Sequence, residues 1–145
     1  MTCREISSSA AASVRTPNDD ADYTYPKELK DELKSNGINY IFDVRNFRTD
    51  NTQYIIDESY KMTEQRFKTA DYLLANKPWD FFMMVEMGPD RLNHGIWSFI
   101  DPNHPRFDPN NPHKDAVRDY YRYLDGKIGE VLDKYADDNT TVLVV

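Results

Sequence analysis

Two long stretches of the chain alternate apolar and polar positions with the 3.6-residue period of an α-helix. Between Asp57 and Asn76, the residues Tyr60, Thr63, Phe67, Ala70 and Leu74 step by three and four, opposite Lys61, Glu64, Lys68 and Asp71, which predicts a helix with one buried stripe. Between Asp115 and Ala136, the residues Val117, Tyr121, Leu124, Ile128, Val131 and Tyr135 repeat the pattern. Gly126 and Gly129 fall inside that second helix, and each costs about 1 kcal/mol relative to Ala. A shorter helix is expected from Lys27 to Ser35, entered through Pro26 and stopped by the Asn36-Gly37 pair, a C-terminal cap signal.

Three other runs have the length and composition of strands. Ile38 to Val44, Phe81 to Val85 and Thr140 to Val145 are short, apolar and rich in aromatic or β-branched residues, as buried strands are. The last is an unbroken apolar run after its threonines, fit for a strand covered on both faces. Strand, helix, strand from 80 to 145 then makes a right-handed βαβ unit, and the expected fold class is α/β with parallel strands.

The chemistry gathers in the stretch from Trp79 to Trp97. Its apolar run breaks at Gly88-Pro89, a turn signal, and Asp90 and His94 follow four residues apart. With Pro89 in the first turn of a helix, both side chains leave from one face. A carboxylate and an imidazole delivered above the carboxyl end of a strand read as half of a metal site, in the place where open α/β sheets put their chemistry. The same spacing also describes a surface ion pair contributing a few tenths of a kcal/mol. Glu86 is read as a structural acid, with the orientation of a metal-bound imidazole as its only functional alternative. The proline-rich segment from Asp101 to Lys114 is neither helix nor central strand. It carries His104 and His113, which are loop residues beside turn-forming Asp and Asn, or further ligands or substrate contacts.

Composition narrows the partners. The 145 residues carry a formal net charge of −7, which argues against a general surface for tracking nucleic-acid phosphates. An anionic substrate would need local compensation, and a divalent cation supplies it. The single cysteine, Cys3, excludes an intramolecular disulfide and fits a reducing compartment. No run has the length of a membrane span or the pattern of a signal peptide, so the expected location is cytoplasmic. Residues 1 to 15 are small and polar without periodicity, and little order is expected there. Asp19, Asp20 and Asp22 read as a solvated loop rather than a cation site, and Ser7 to Ser9 lack the context of a nucleophile.

The run VEMGPDRLNHGIW resembles a segment of the type I phosphodiesterase and nucleotide pyrophosphatase family, in the alkaline phosphatase superfamily, that reads approximately F-M-G-T-D-R-x-Q-H-x-x-W. DYTYPKELKDEL at 22 to 33, FDVRNFRTD at 42 to 50, DPNHPRFDP at 101 to 109 and the closing TTVLVV are similar to members of that family in the same order, so the resemblance runs from about Thr16 to Val145. It implies a partial alkaline-phosphatase-like core of parallel strands plus a small α+β insertion. The expected organisation is a loop or disordered segment at 1–23, a cap-like insertion at 24–76 and a partial metal-site core at 77–145.

The resemblance further implies two divalent ions, commonly zinc, about 4 Å apart. Asp90 and His94 would hold one of them, and His104 would be a substrate contact. The family's Ser or Thr nucleophile and its Ser-Asp-His-Gly segment have no counterpart in these residues, so the chain is expected to be an internal piece that is inactive alone. The implied substrate is a small-molecule phosphate ester or nucleotide, with no nucleic-acid duplex and no membrane as partner. Two alternatives stand beside this reading: a non-catalytic interaction module, and a superfamily member acting on phosphomonoesters or as a phosphomutase.

Overall fold

A computed structural model describes residues 21–145. The expectations for residues 1–15, for Cys3 and Ser7 to Ser9, and for Asp19 and Asp20 lie outside the described residues. Four helices follow one another: α1 (Glu28–Ser35), α2 (Thr52–Asn76), α3 (Gly88–Ile100) and α4 (Ala116–Tyr135). The periodic stretches form helices as their spacing requires. Asn51 extends α2 toward the N-terminus, because its side chain accepts a hydrogen bond from the backbone N–H of Tyr54 and satisfies a donor that an uncapped helix leaves open.

The expected α/β fold with parallel strands is corrected: among the described residues there are four helices and no strand. A strand exists only through a ladder to a neighbour; the first two apolar runs meet side chains instead, and the third lies exposed. Arg66, buried on α2, donates from Nε to the Ile41 carbonyl at 3.1 Å, from Nη2 to Phe42 at 2.6 Å and from Nη1 to Val85 at 2.6 Å. One guanidinium thus satisfies carbonyls in both central runs. The Asn39 N–H donates to the Gln65 side chain, and the Val44 N–H to the carboxylate of Asp43. From Phe81 to Val85 the two-residue alternation of an extended chain persists without a ladder. Phe82 and Met84 pack inward, while Phe81, Met83 and Val85 are 61%, 51% and 44% exposed. Residues 141–145 lie on the surface.

The core sits where α2, α3 and α4 touch one another. Ile55, Ile56 and Phe67 of α2 meet Leu92 and Ile96 of α3 and Tyr120 and Leu124 of α4. Leu92, Ile96 and Tyr120 are fully enclosed, worth about 1.5–3 kcal/mol each by burial. On α4 the buried tyrosine is Tyr120; Tyr121, which the periodicity favours, is exposed. A satellite cluster of Leu29, Leu33, Ile38 and Leu73 seats α1 on the far end of α2, tied by Lys77 and the Tyr72 hydroxyl on the Glu32 carboxylate. No helix among the described residues is long and apolar enough to cross a membrane.

Candidate metal half-site

Helix α3 begins where the sequence places the turn, with Pro89 in its first turn. Its start is held from below. The backbone N–H of Gly88 donates to Glu86 Oε1 at 2.9 Å, Thr63 Oγ1 donates to the same oxygen at 3.1 Å, and Thr63 shares a short hydrogen bond with the Tyr120 hydroxyl. Burial pushes the Tyr120 hydroxyl pKa well above its usual value, so it stays protonated and acts as a hydrogen-bonding group only. Glu86 Oε2 is buried without a partner. Glu86 is therefore turned to the helix start and the core, and its structural role is to fix where α3 begins.

From that fixed start, Asp90 and His94 project from one face, as their spacing predicts. Asp90 Oδ1 and His94 Nε2 stand 3.3 Å apart, with side chains 45% and 71% exposed. The carboxylate lies in the first turn of α3, where the helix dipole favours negative charge. The cradle around it includes three residues the sequence reading did not single out. Arg91 Nη1 donates to Asp90 Oδ2 at 2.6 Å, while its Nε and Nη2 donate to Asp43 Oδ1 and Oδ2 at 2.5 and 2.7 Å. The hydrogen bond to Asp43, foremost, raises the Arg91 pKa, so the guanidinium is a permanent cation there. The Phe47 ring lies 5.2 Å from it. All three lie in family-like runs, Asp43 and Phe47 in FDVRNFRTD and Arg91 in the run containing Asp90; their meeting was not visible, because 48 positions separate Asp43 from Arg91.

The donor set fits one divalent ion as half of its shell. Two donors each about 2.0–2.1 Å from a tetrahedral ion stand roughly 3.3 Å apart, the separation found between Asp90 Oδ1 and His94 Nε2. Among the described residues no group of three or more His, Cys, Asp or Glu converges, so Asp90 and His94 have no third ligand of these types there. His104 belongs to a separate turn, where its Nδ1 accepts from the Arg106 N–H at 3.2 Å. His113 sets its ring edge-on to Phe99 at 5.8 Å. Neither is hydrogen-bonded to Asp90 or His94.

A groove of about 610 Å³ opens elsewhere, between the turn after α1 and helices α2 and α4. Its lysines are already neutralised: Lys68 by Glu64, Lys127 by Glu130 and Lys134 by Asp71.

Three comparisons with known proteins bear on this arrangement. A family model described as Type I phosphodiesterase / nucleotide pyrophosphatase matches residues 5–145, a span that includes Asp43, Asp90, Arg91 and His94. No curated protein and no solved structure matches the chain.

Proposed function

We propose, since the chain belongs to the type I phosphodiesterase / nucleotide pyrophosphatase family, that Asp90 and His94 hold one divalent ion of a hydrolase acting on phosphate diesters or pyrophosphates. The observation that supports this is the 3.3 Å separation of their donor atoms on the exposed face of α3, the spacing two ligands of one tetrahedral ion need. Zinc suits a carboxylate and an imidazole as donors. When bound, the ion supplies positive charge to the oxygens of a phosphate ester.

The chain's own residues prepare that position. Glu86 and Thr63 fix the start of α3, and Arg91 holds Asp90 Oδ2 and leaves Oδ1 toward His94. Arg91 is itself paired with Asp43 and Asp90, so in a chain of net charge −7 the bound ion would supply the positive charge for the small-molecule phosphate ester or nucleotide that is the proposed substrate. His104 is the proposed further contact to substrate. Its Nδ1 accepts from a backbone N–H, so Nε2 carries the proton and can donate to an anionic oxygen. In this reading the second ion, the Ser or Thr nucleophile and the remaining ligands come from residues other than those described, and the 145 residues alone turn nothing over.

The test is calorimetric titration of the chain with zinc alongside an assay of bis(4-nitrophenyl) phosphate cleavage. Weak binding of one ion, lost in Asp90→Asn and in His94→Ala, with no cleavage, is the expected result. Vigorous cleavage by these residues overturns the assignment of the missing groups. A second reading, a non-catalytic interaction module, is favoured by the exposed row Phe81, Met83 and Val85; it is distinguished by finding no zinc binding at all.

A further inference from the structure

We infer that Asp43 and Arg91 are positioning residues for the Asp90 carboxylate, and that Asp43 keeps the Arg91 guanidinium from closing over both Asp90 oxygens; this rests on the metal-site reading above. A guanidinium carries its N–H donors in one plane. In Arg91, Nε and Nη2 are committed to the two oxygens of Asp43 at 2.5 and 2.7 Å, a fork that fixes the plane. Nη1 then meets Asp90 through Oδ2, at 2.6 Å, and Oδ1 is left facing His94 Nε2.

The enclosure is graded in the same direction. The Arg91 and Asp43 side chains are 20% and 24% exposed, whereas Asp90 is 45% exposed. The anchor therefore lies inward and the oxygen offered to an ion lies outward. Phe47 completes the clamp, because its ring lies beside the guanidinium and also against Gly95, the residue after His94. One loop thus grips α3 on both sides of the imidazole.

Without Asp43, the favoured two-pronged geometry between arginine and a carboxylate has one remaining partner in reach, Asp90, its neighbour in the chain. Closing on it would occupy Oδ1 and remove that oxygen from the ion. The expected signature is strong non-additivity: Asp43→Asn weakens the site by freeing Arg91, and removing Arg91 as well restores it.

The experiment measures Co²⁺ affinity and the carboxyl ¹³C resonance of Asp90 in the whole chain, in Asp43→Asn and in Asp43→Asn with Arg91→Gln. Asp43→Asn is expected to bind Co²⁺ about tenfold more weakly, the usual size of such an outer-layer effect, and to shift the Asp90 resonance. The double variant should return the affinity to within about threefold of the parent, because a role acting only through Arg91 vanishes with it. An unchanged affinity and resonance in Asp43→Asn, or a double variant weaker than the single one, overturns the proposal. Should the parent bind no Co²⁺, the metal reading fails while the resonance still decides the positioning role. Should Asp43→Asn not fold, Phe47→Leu replaces it with the same readouts; a resonance shift supports the clamp and an unshifted resonance overturns it.

Discussion

The hydroxyl of Tyr120 occupies the space that a β-carbon at Gly88 would fill: a Cβ built there would lie 1.7 Å from the hydroxyl oxygen and 2.5 Å from the ring carbon bearing it. Tyr120 is fully enclosed and cannot swing aside, so the first residue of α3 is glycine because α4 reaches it. Gly88→Ala should lower stability by about 1–3 kcal/mol through overpacking, seen as a reduced urea midpoint. Gly126→Ala is the control. That position meets nothing within 4 Å on a regular helix, and the substitution should raise stability by about 1 kcal/mol. Equal effects at the two glycines would contradict the close approach.

Arg66 stands in for the ladder that the central apolar runs lack. It is 5% exposed, and its three hydrogen bonds end on the Ile41, Phe42 and Val85 carbonyls. Arg66→Met leaves those acceptors without their donor and should cost roughly 3–5 kcal/mol. Arg66→Lys keeps the charge but not the fork, and should recover only a minor part. Equilibrium unfolding in urea measures both, and a loss below about 1 kcal/mol in Arg66→Met would show that these carbonyls are satisfied without it.

The helices and the placement of Asp90 and His94 were legible in the sequence because both depend on neighbours three and four residues away. The strands were not, because a strand is a relation between segments. Ile38 to Val44 and Phe81 to Val85 have strand composition, and Phe81 to Val85 keeps its alternation, yet the carbonyls of Ile41, Phe42 and Val85 go to Arg66. The burial of Tyr120 was equally hidden: the periodicity favours Tyr121, whereas Tyr120 is the enclosed one, packed in the core and hydrogen-bonded to Thr63, 57 positions away. The start of α2 was missed because the cap at Asn51 lies inside a polar stretch that reads as loop. Asp43 was visible as part of a family-like segment, but its pairing with Arg91 is a tertiary event.

Three carboxylates hold helices together through depressed pKa values. The Lys77 hydrogen bond leads in lowering Glu32, the Tyr123 hydroxyl in lowering Glu64, and the Lys134 hydrogen bond in lowering Asp71. Each folded value lies below the ordinary 4.5 of Glu or 3.8 of Asp. Their contribution is therefore fully present above those values and is lost as pH falls through the folded pKa. The urea midpoint should be level from neutral pH to about pH 5 and fall below about pH 4. Glu32→Gln should lower the neutral midpoint and flatten the acid limb; an acid limb as steep as the parent's would contradict the role given to Glu32.

The most direct test of the metal half-site is the ¹⁵N spectrum of the three histidine side chains during zinc addition. The Nε2 resonance of His94 should move as zinc binds, while those of His104 and His113 stay in place, and Asp90→Asn should abolish the movement. Zinc that moves His104 or His113 in preference to His94, or that moves His94 as far in Asp90→Asn as in the parent, contradicts the assignment.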